Sequence, residues 1–267
     1  MTLELTHLLS AAGGFLGMLM IYWFVSPRVV PLCFPSYTAL PWEKRIQVNE
    51  IFMAGSHSVI VCLCSWVAYF TVEELKPTTL WYDCAITRHT SAFFWGYSIA
   101  DLMLMICYPH FGDIYFLMHH AVSLIAGFFG MAYTSIPYYV NVFLMMEMTN
   151  PFVNFRFLLK ALGYPEKSLL FSSTGVLIFV TWWIARLAFI PIYAYHMAQL
   201  MRTGDFFKIE LPMQLTSVLG YAFFTVLNLA WFRVILKLFK REIRGLIELS
   251  GHSKRAQLQE ANSKKGG

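Results

Sequence analysis

The chain has 267 residues, 58% of them hydrophobic and only 13% charged, with a mean hydropathy of +0.56 and a formal net charge of +5. A soluble domain carries about 25% charged residues, which excludes a water-soluble globule and predicts one membrane domain with no separate soluble domain. The positive charge is one-sided along the chain, so it speaks of membrane orientation and not of nucleic-acid binding.

A bilayer crossing takes roughly 20 apolar residues, and seven runs qualify in chain order: 8–25, 51–70, 90–108, 114–133, 138–157, 169–195 and 213–235. No Lys or Arg precedes the first, which reads as a true span and not as a secretory signal peptide. Breakers separate the runs: Pro27, Pro31, Pro35 and Pro41, then Pro77, then Pro109 with Gly112, then Pro137. Gly163 followed by Pro165 gives the usual order of helix stop and helix start. The expected organisation is an N-terminal helix and loop over 1–44, a membrane domain over 45–235 and a basic tail over 236–267. Cys33, Cys62, Cys64, Cys84 and Cys107 are scattered and predict free thiols; Cys62 and Cys64 are too close for a zinc or redox motif.

Lys and Arg set the orientation. With the N-terminus outside, the inner segments hold Arg28, Lys44, Arg45, Arg156, Lys160, Lys167 and nine more from Arg233 onward. The outer segments hold Lys76, Arg88, Arg202 and Lys208. Merging two spans would move the basic tail outside, so the asymmetry supports seven crossings, with a lumenal or external N-terminus and a cytosolic C-terminus.

The polar residues inside these runs converge in depth. Residues equally far from a tight turn lie level on antiparallel helices, each residue advancing 1.5 Å. Asp101 before the turn at 109–113 is level with His119 and His120 after it. Similar counting brings Glu147 and Asn150, Arg186, His57 and, less tightly, Asn228 into the same slice. A proline within a helix leaves the carbonyl four residues back without its donor. Pro151 frees Glu147 in this way and Pro191 frees Leu187, and such groups are tolerated where they are packed in protein or line a wet cavity.

Each residue also has a plainer reading. A lone His or Asn, such as His57 or Asn228, serves as an interhelical hydrogen bond worth about 0.6 kcal/mol. Glu147 and Arg186 suit a structural ion pair. Met145, Met146, Phe223 and Phe224 suit packing or lipid contact, and Trp95, Trp182 and Trp183 suit anchoring of helices and not stacking on a cofactor. Together the residues are harder to dismiss. Asp101, Glu147 and Arg186 each cost about 2.5–3.5 kcal/mol unpaired at a helix centre, so they must face one another or the histidines around an inward cavity. Adjacent helix positions point about 100° apart, so His119 and His120 cannot grip one metal as i, i+4 histidines do; no metal or cofactor is expected. Charging two adjacent imidazoles away from water is costly, which leaves at least one neutral. A neutral imidazole oriented by Asp101, with Ser123 in reach of His119, suits a base or nucleophile in acyl transfer and equally the binding of a lipid carbonyl or headgroup.

The segments "GYSIADLMLMICYPHFGDIYFLMHHAVSL" and "MMEMTNPFVNFRFLLKALGYP" resemble the TLC domain of translocon-associated, longevity-assurance (ceramide synthase) and neuronal-ceroid-type membrane proteins, over roughly residues 45–235. The resemblance implies an all-α, polytopic endoplasmic-reticulum membrane protein of about seven transmembrane helices, six of them around a lipid-accepting cavity. It matches the paired histidines of ceramide synthases, which acylate a sphingoid base from fatty acyl-CoA, to His119 and His120. The synthases carry a downstream acidic run of the His-Asp-x-x-Asp kind, and here "NVFLMMEMTN" keeps only Glu147 and Asn150, a departure that bears directly on synthase activity. The expected catalytic group is His119, His120 and Asp101. The expected lining for a membrane lipid or fatty acyl-CoA is His57, Tyr97, Glu147, Asn150, Asn154 and Arg186.

The closing "KKGG" places Lys264 and Lys265 at the spacing of a dilysine retrieval signal read by coat proteins. The preceding "RVILKLFKREIRGLIEL" mixes apolar and basic positions and suits the anionic cytosolic leaflet or a solvated helix end. Three functions follow: lipid binding in membrane lipid homeostasis, acyl-CoA-dependent acyl transfer, or a non-enzymatic cargo-receptor or translocon-type helper.

Overall fold

The computed structural model describes residues 3–108 and 114–265, with side chains as far as Glu248; Pro109 and Gly112, the side chains of Lys264 and Lys265, and the final Gly266–Gly267 lie outside the described residues. Among the described residues six helices are long and apolar enough to cross a bilayer: α1 (Leu5–Cys33), α2 (Trp42–Thr71), α3 (Ala85–Cys107), α4 (Ile114–Ala132), α7 (Leu169–Thr203) and α8, which begins at Leu211, holds an apolar stretch long enough to span and continues to Lys265. Between α4 and α7 lies a broken crossing, α5 (Pro137–Met145), a 3-10 turn (Met146–Thr149) and α6 (Asn150–Ala161). No strand forms among the described residues; Trp81 and Ser135 make one isolated antiparallel bridge.

The loops sort to two ends. Ser36 Oγ donates to Leu162 O at 3.2 Å, joining the α1–α2 and α6–α7 connections. At the other end Tyr82 N donates to Thr134 O and Ile136 N to Leu80 O, joining the α2–α3 and α4–α5 connections. That alternation counts α5 and α6 together as one crossing, giving seven. Arg156 near the end of α6 also meets Glu242 on the extension of α8 at 2.7 Å, so the basic tail and the α6–α7 turn share an end, as the charge asymmetry requires. Ile136, at the start of α5, holds a left-handed φ of 46°, a strained conformation for a β-branched residue.

Two boundaries differ from expectation. Pro27 and Pro31 do not end the first helix. A π stretch at Ile21–Val25, in which Ser26 N donates to Ile21 O, precedes Pro27, and the helix runs on to Cys33 with Pro31 inside it. A π turn takes up the register change that a proline forces. The second helix begins at Trp42, not near residue 51, with Pro41 as its N-cap. Its added turns are amphipathic: Ile46, Val48 and Asn49 are buried while Glu43 and Lys44 are exposed. All five cysteines are free thiols.

Burial follows the logic of a lipid solvent. Leu9, Leu16, Phe70, Ile106 and Val226 are exposed, whereas His57, Asp101, Asn141, Arg156 and Arg186 are buried. With hydrocarbon outside, polar groups find partners only within the bundle. Helices α1 and α3 approach closely because glycines face backbone: a Cβ on Gly14 would strike Phe93 O, and one on Gly96 would strike Ala11 O. Small residues at helix contacts permit this closeness. Gly17, on the same helix, has open space around it. Gly96→Val is therefore expected to lower the detergent melting temperature by about 2–12 °C, from an overpacking cost of about 1–3 kcal/mol at roughly 2–4 °C per kcal/mol. Gly17→Ala is expected to leave it unchanged, and equal behaviour of the two variants in a thermal-shift assay would refute the α1–α3 contact.

Candidate functional site

The centre of the site is a close imidazole–carboxylate contact between α3 and α4. His120 Nδ1 lies 3.2 Å from Asp101 Oδ2, with Asp101 2% exposed. His119 points elsewhere, as adjacent helix positions must. Its ring stands perpendicular to that of His120, centroids 5.3 Å apart, and packs against Phe224 at 5.4 Å and Trp231 at 5.5 Å on α8. One imidazole thus addresses a carboxylate on α3 and its neighbour addresses the aromatic face of α8.

His57 on α2 stacks on Tyr97 of α3, centroids 3.5 Å apart and planes 11° from parallel. Tyr97 is one turn before Asp101, so the stack adjoins the His120–Asp101 pair. Glu50, two turns before His57, belongs to this face as well: Ile46, Met53 and Ala54 pack with Tyr22, Tyr97 and Leu104, and Glu50 lies within electrostatic range of Asp101. The spacing i, i+7 to His57 would have marked Glu50 in the sequence, had the second helix been started early enough to include it.

The second half of the site differs from the expected ion pair. Glu147 and Arg186 do not touch. Asn150 stands between them, donating from Nδ2 to Glu147 Oε2 at 2.7 Å and accepting at Oδ1 from Arg186 Nη2 at 3.1 Å. Arg186 Nη1 donates to Asn228 Oδ1 at 3.2 Å, and its guanidinium lies 4.6 Å from the centre of the Trp182 ring. Trp182 is buried and Trp183 is exposed. The breaks in the helices explain the substitution of an amide relay for a direct pair. Glu147 sits in the 3-10 turn before Pro151, where its carbonyl accepts from Asn150 N instead of being left free. Arg186 sits in a π stretch, Trp183–Leu187, just before Pro191. Both irregular turns rotate side chains away from ideal helical positions.

Asn154 stands apart from this cluster. It packs on Gly55 and lines a separate groove among α1, α2 and α6, with Phe34, Ser56 and Phe155. The helix face was not readable from depth alone, and Asn154 lies about one turn past Asn150 on a helix that restarts at Asn150.

Several buried polar atoms have no hydrogen-bond partner among the described residues: His57 Nε2, Asp101 Oδ1, His119 Nδ1 and Arg186 Nε. Next to them, α4, α5, α7 and α8 border a partly open apolar cavity of about 90 Å³, lined by Phe129, Val140, Phe143, Ile190, Phe224 and Asn228 among others. Asn228 and Phe224 belong to both regions, the first bound to Arg186 and the second in contact with His119. Among the described residues no three His, Cys, Asp or Glu side chains gather as a metal-holding group.

A helical bundle with outward apolar faces and a buried His, Asp, Glu and Arg cluster beside an apolar cavity defines a polytopic membrane protein with an intramembrane polar site. The chain belongs to the TLC domain family, whose model matches residues 47–237. TLC domain-containing protein 4-B of Danio rerio is 26% identical over 248 residues, covering 92% of this chain and 94% of that protein. TLC domain-containing protein 4 of Homo sapiens is 29% identical over 220 residues, 82% of this chain and 83% of that protein. TLC domain-containing protein 4-B of Xenopus laevis is 30% identical over 197 residues, 73% of this chain and 75% of that protein. No solved structure matches the chain.

His57 offers a direct check on whether the open polar atoms are kept at the expense of stability. A buried polar atom without a partner costs about 1–3 kcal/mol, and phenylalanine can retain the stack on Tyr97. His57→Phe is expected to leave the melting temperature unchanged or raise it by a few degrees while impairing function. A fall beyond about 5 °C would show that Nε2 is hydrogen-bonded in the membrane.

Proposed function

We propose that this protein binds a lipid or acyl chain within the membrane, in the service of membrane lipid homeostasis, with the hydrocarbon in the apolar cavity and the polar portion toward the cluster of His119, His120, Asp101 and Arg186. The observation that carries this reading is the junction of cavity and cluster at Asn228 and Phe224. His57, Tyr97, Glu147 and Asn150 shape the polar side, and Asn154 is left out of it. Replacing His120 by asparagine removes the imidazole while leaving a side-chain donor for the buried Asp101 carboxylate. His120→Asn is thus expected to keep expression and melting behaviour but to lose lipid retained through purification and to fail in restoring the lipid profile of cells lacking the protein. Full rescue with unchanged retained lipid would favour a non-enzymatic helper function.

Acyl transfer is a second reading, favoured by one specific contact. With Asp101 holding Nδ1 of His120, the other ring nitrogen is available as a base toward a hydroxyl or amine attacking a thioester. Turnover of labelled acyl-CoA, lost in His120→Ala, would establish it.

The proposed location is the endoplasmic-reticulum membrane, with the N-terminus lumenal and the tail cytosolic, supported by the Lys and Arg asymmetry and by Lys264 and Lys265. Protease added to sealed microsomes is expected to remove a C-terminal tag; protection of that tag would invert the orientation.

A further inference from the structure

Beyond the cavity, α8 runs on past the end of α4, and its two sides differ. The inner side is packed. Phe232 and Phe239 stack on Phe179 of α7, with centroids 5.9 and 4.0 Å apart. Ile235 is buried. Glu242 turns inward and is held by Arg156 at 2.7 Å and by Arg241 at 2.9 Å. These contacts fix the rotation of the helix about its axis. The outer side then carries Arg233, Lys237, Lys240 and Arg244, all exposed. At i, i+4, i+7 and i+11 the four fall within about 60° of one another and span about 16 Å along the axis.

No acid within the protein relieves this stripe. Glu242 is the one acidic residue between Arg233 and Arg244, and it lies on the opposite side of the helix. Glu248, one turn past Arg244, is exposed, and among the described residues none of the four cations meets a carboxylate. Like charges at i, i+4 oppose helix formation, and a solvated helix face ordinarily mixes both signs. Val234 and Ile247, 65% and 66% exposed, lie beside the stripe near its two ends. Cations interleaved with outward apolar side chains suit the boundary of headgroups and hydrocarbon, where the stems lie along acyl chains and the charges reach phosphates. The position agrees. Trp231, two residues before Arg233, packs on Phe116 in the first turn of α4 at 5.8 Å and on His119 at 5.5 Å, so the stripe starts level with the end of α4 and runs outward from there.

We propose that Arg233, Lys237, Lys240 and Arg244 form a docking face for the headgroups of anionic phospholipids, in the leaflet on the side of the tail and beside the seam of α4 and α8. The inference goes beyond the cavity reading, because it concerns the outer surface and stands whether or not a chain enters the bundle. The test is native mass spectrometry of the purified full-length protein in detergent micelles holding equal amounts of phosphatidylserine and phosphatidylcholine with the same acyl chains. Wild type is expected to retain at least about threefold more phosphatidylserine, part of the roughly fivefold that one Lys or Arg contributes near an anionic surface. Replacing all four residues by glutamine is expected to keep the melting behaviour and to bring the preference below about 1.5-fold. Lys44→Gln with Lys160→Gln removes two exposed cations at the same end of the bundle but off the stripe, and is expected to keep the wild-type preference. Should the fourfold variant fail to fold, Lys237→Gln with Lys240→Gln decides, with a preference expected below about twofold. Equal retention of the two lipids by wild type overturns the inference and leaves an acidic protein surface as the counter-charge. An undiminished preference in the stripe variants, or an equal loss in the Lys44 and Lys160 control, overturns it as well.

Discussion

Hydrocarbon offers a polar group no water, so each backbone break and each polar side chain within the bundle must find its partner in the protein. The prolines show how closely the architecture follows that constraint. Pro27, Pro151 and Pro191 each come just after a stretch of irregular helix, π at Ile21–Val25, 3-10 at Met146–Thr149 and π at Trp183–Leu187. These turns redirect carbonyls to new donors and rotate the side chains they carry. Two of the three carry Glu147 and Arg186. The Glu147–Asn150–Arg186 half of the site is assembled where the helices are irregular beside proline, while His57, Tyr97, Asp101, His119 and His120 lie on regular helix.

The buried arginines answer the same constraint in different ways. Arg88 fastens the start of α3 to the end of α4, donating from Nε to Met131 O and from Nη1 to Asp83. Arg156 fastens α6 to α7 and α8, reaching Phe171 O, Thr174 Oγ1 and Glu242. Gly175 makes room there, since a Cβ would strike the Glu242 side chain. Both arginines meet direct counter-charges and join segments at the ends of the bundle. Arg186 is held by amides and a tryptophan face in the interior, where a charge is most expensive. Its acid, Glu147, reaches it only through Asn150.

Much of this was legible in the sequence, and the failures have physical causes. Depth is readable, because helical rise is constant and a short turn supplies an origin; Asp101 and the histidine pair were placed level on that basis, and His120 meets Asp101 at 3.2 Å. Membership of the TLC family was legible in the two quoted segments, which fall within the matched residues 47–237. Azimuth is not readable once a helix departs from 3.6 residues per turn. For that reason Asn154 was assigned to a cluster it does not join, and Glu147 was paired directly with an arginine that Asn150 keeps from it. Glu50 was missed because the second helix starts nine residues before the apolar run that announced it. Nothing local in the sequence distinguishes Trp182 from Trp183; the π stretch that begins at Trp183 places Arg186 over one ring and leaves the other exposed.

The adjacency of His119 and His120 has a structural meaning beyond their count. On a regular helix two neighbours cannot serve the same partner, and here they serve two surroundings. His120 belongs with Asp101, beside the Tyr97–His57 stack, a polar column between α2 and α3. His119 belongs with Phe224 and Trp231 on α8, beside the apolar cavity. The two rings meet edge to face at 5.3 Å, so a charge placed on either is felt by the other at short range and low dielectric. A pair separated by four residues would have put both imidazoles on one side of α4 and isolated the carboxylate from the cavity. The consecutive pair instead makes α4 the wall through which the two compartments are electrostatically joined.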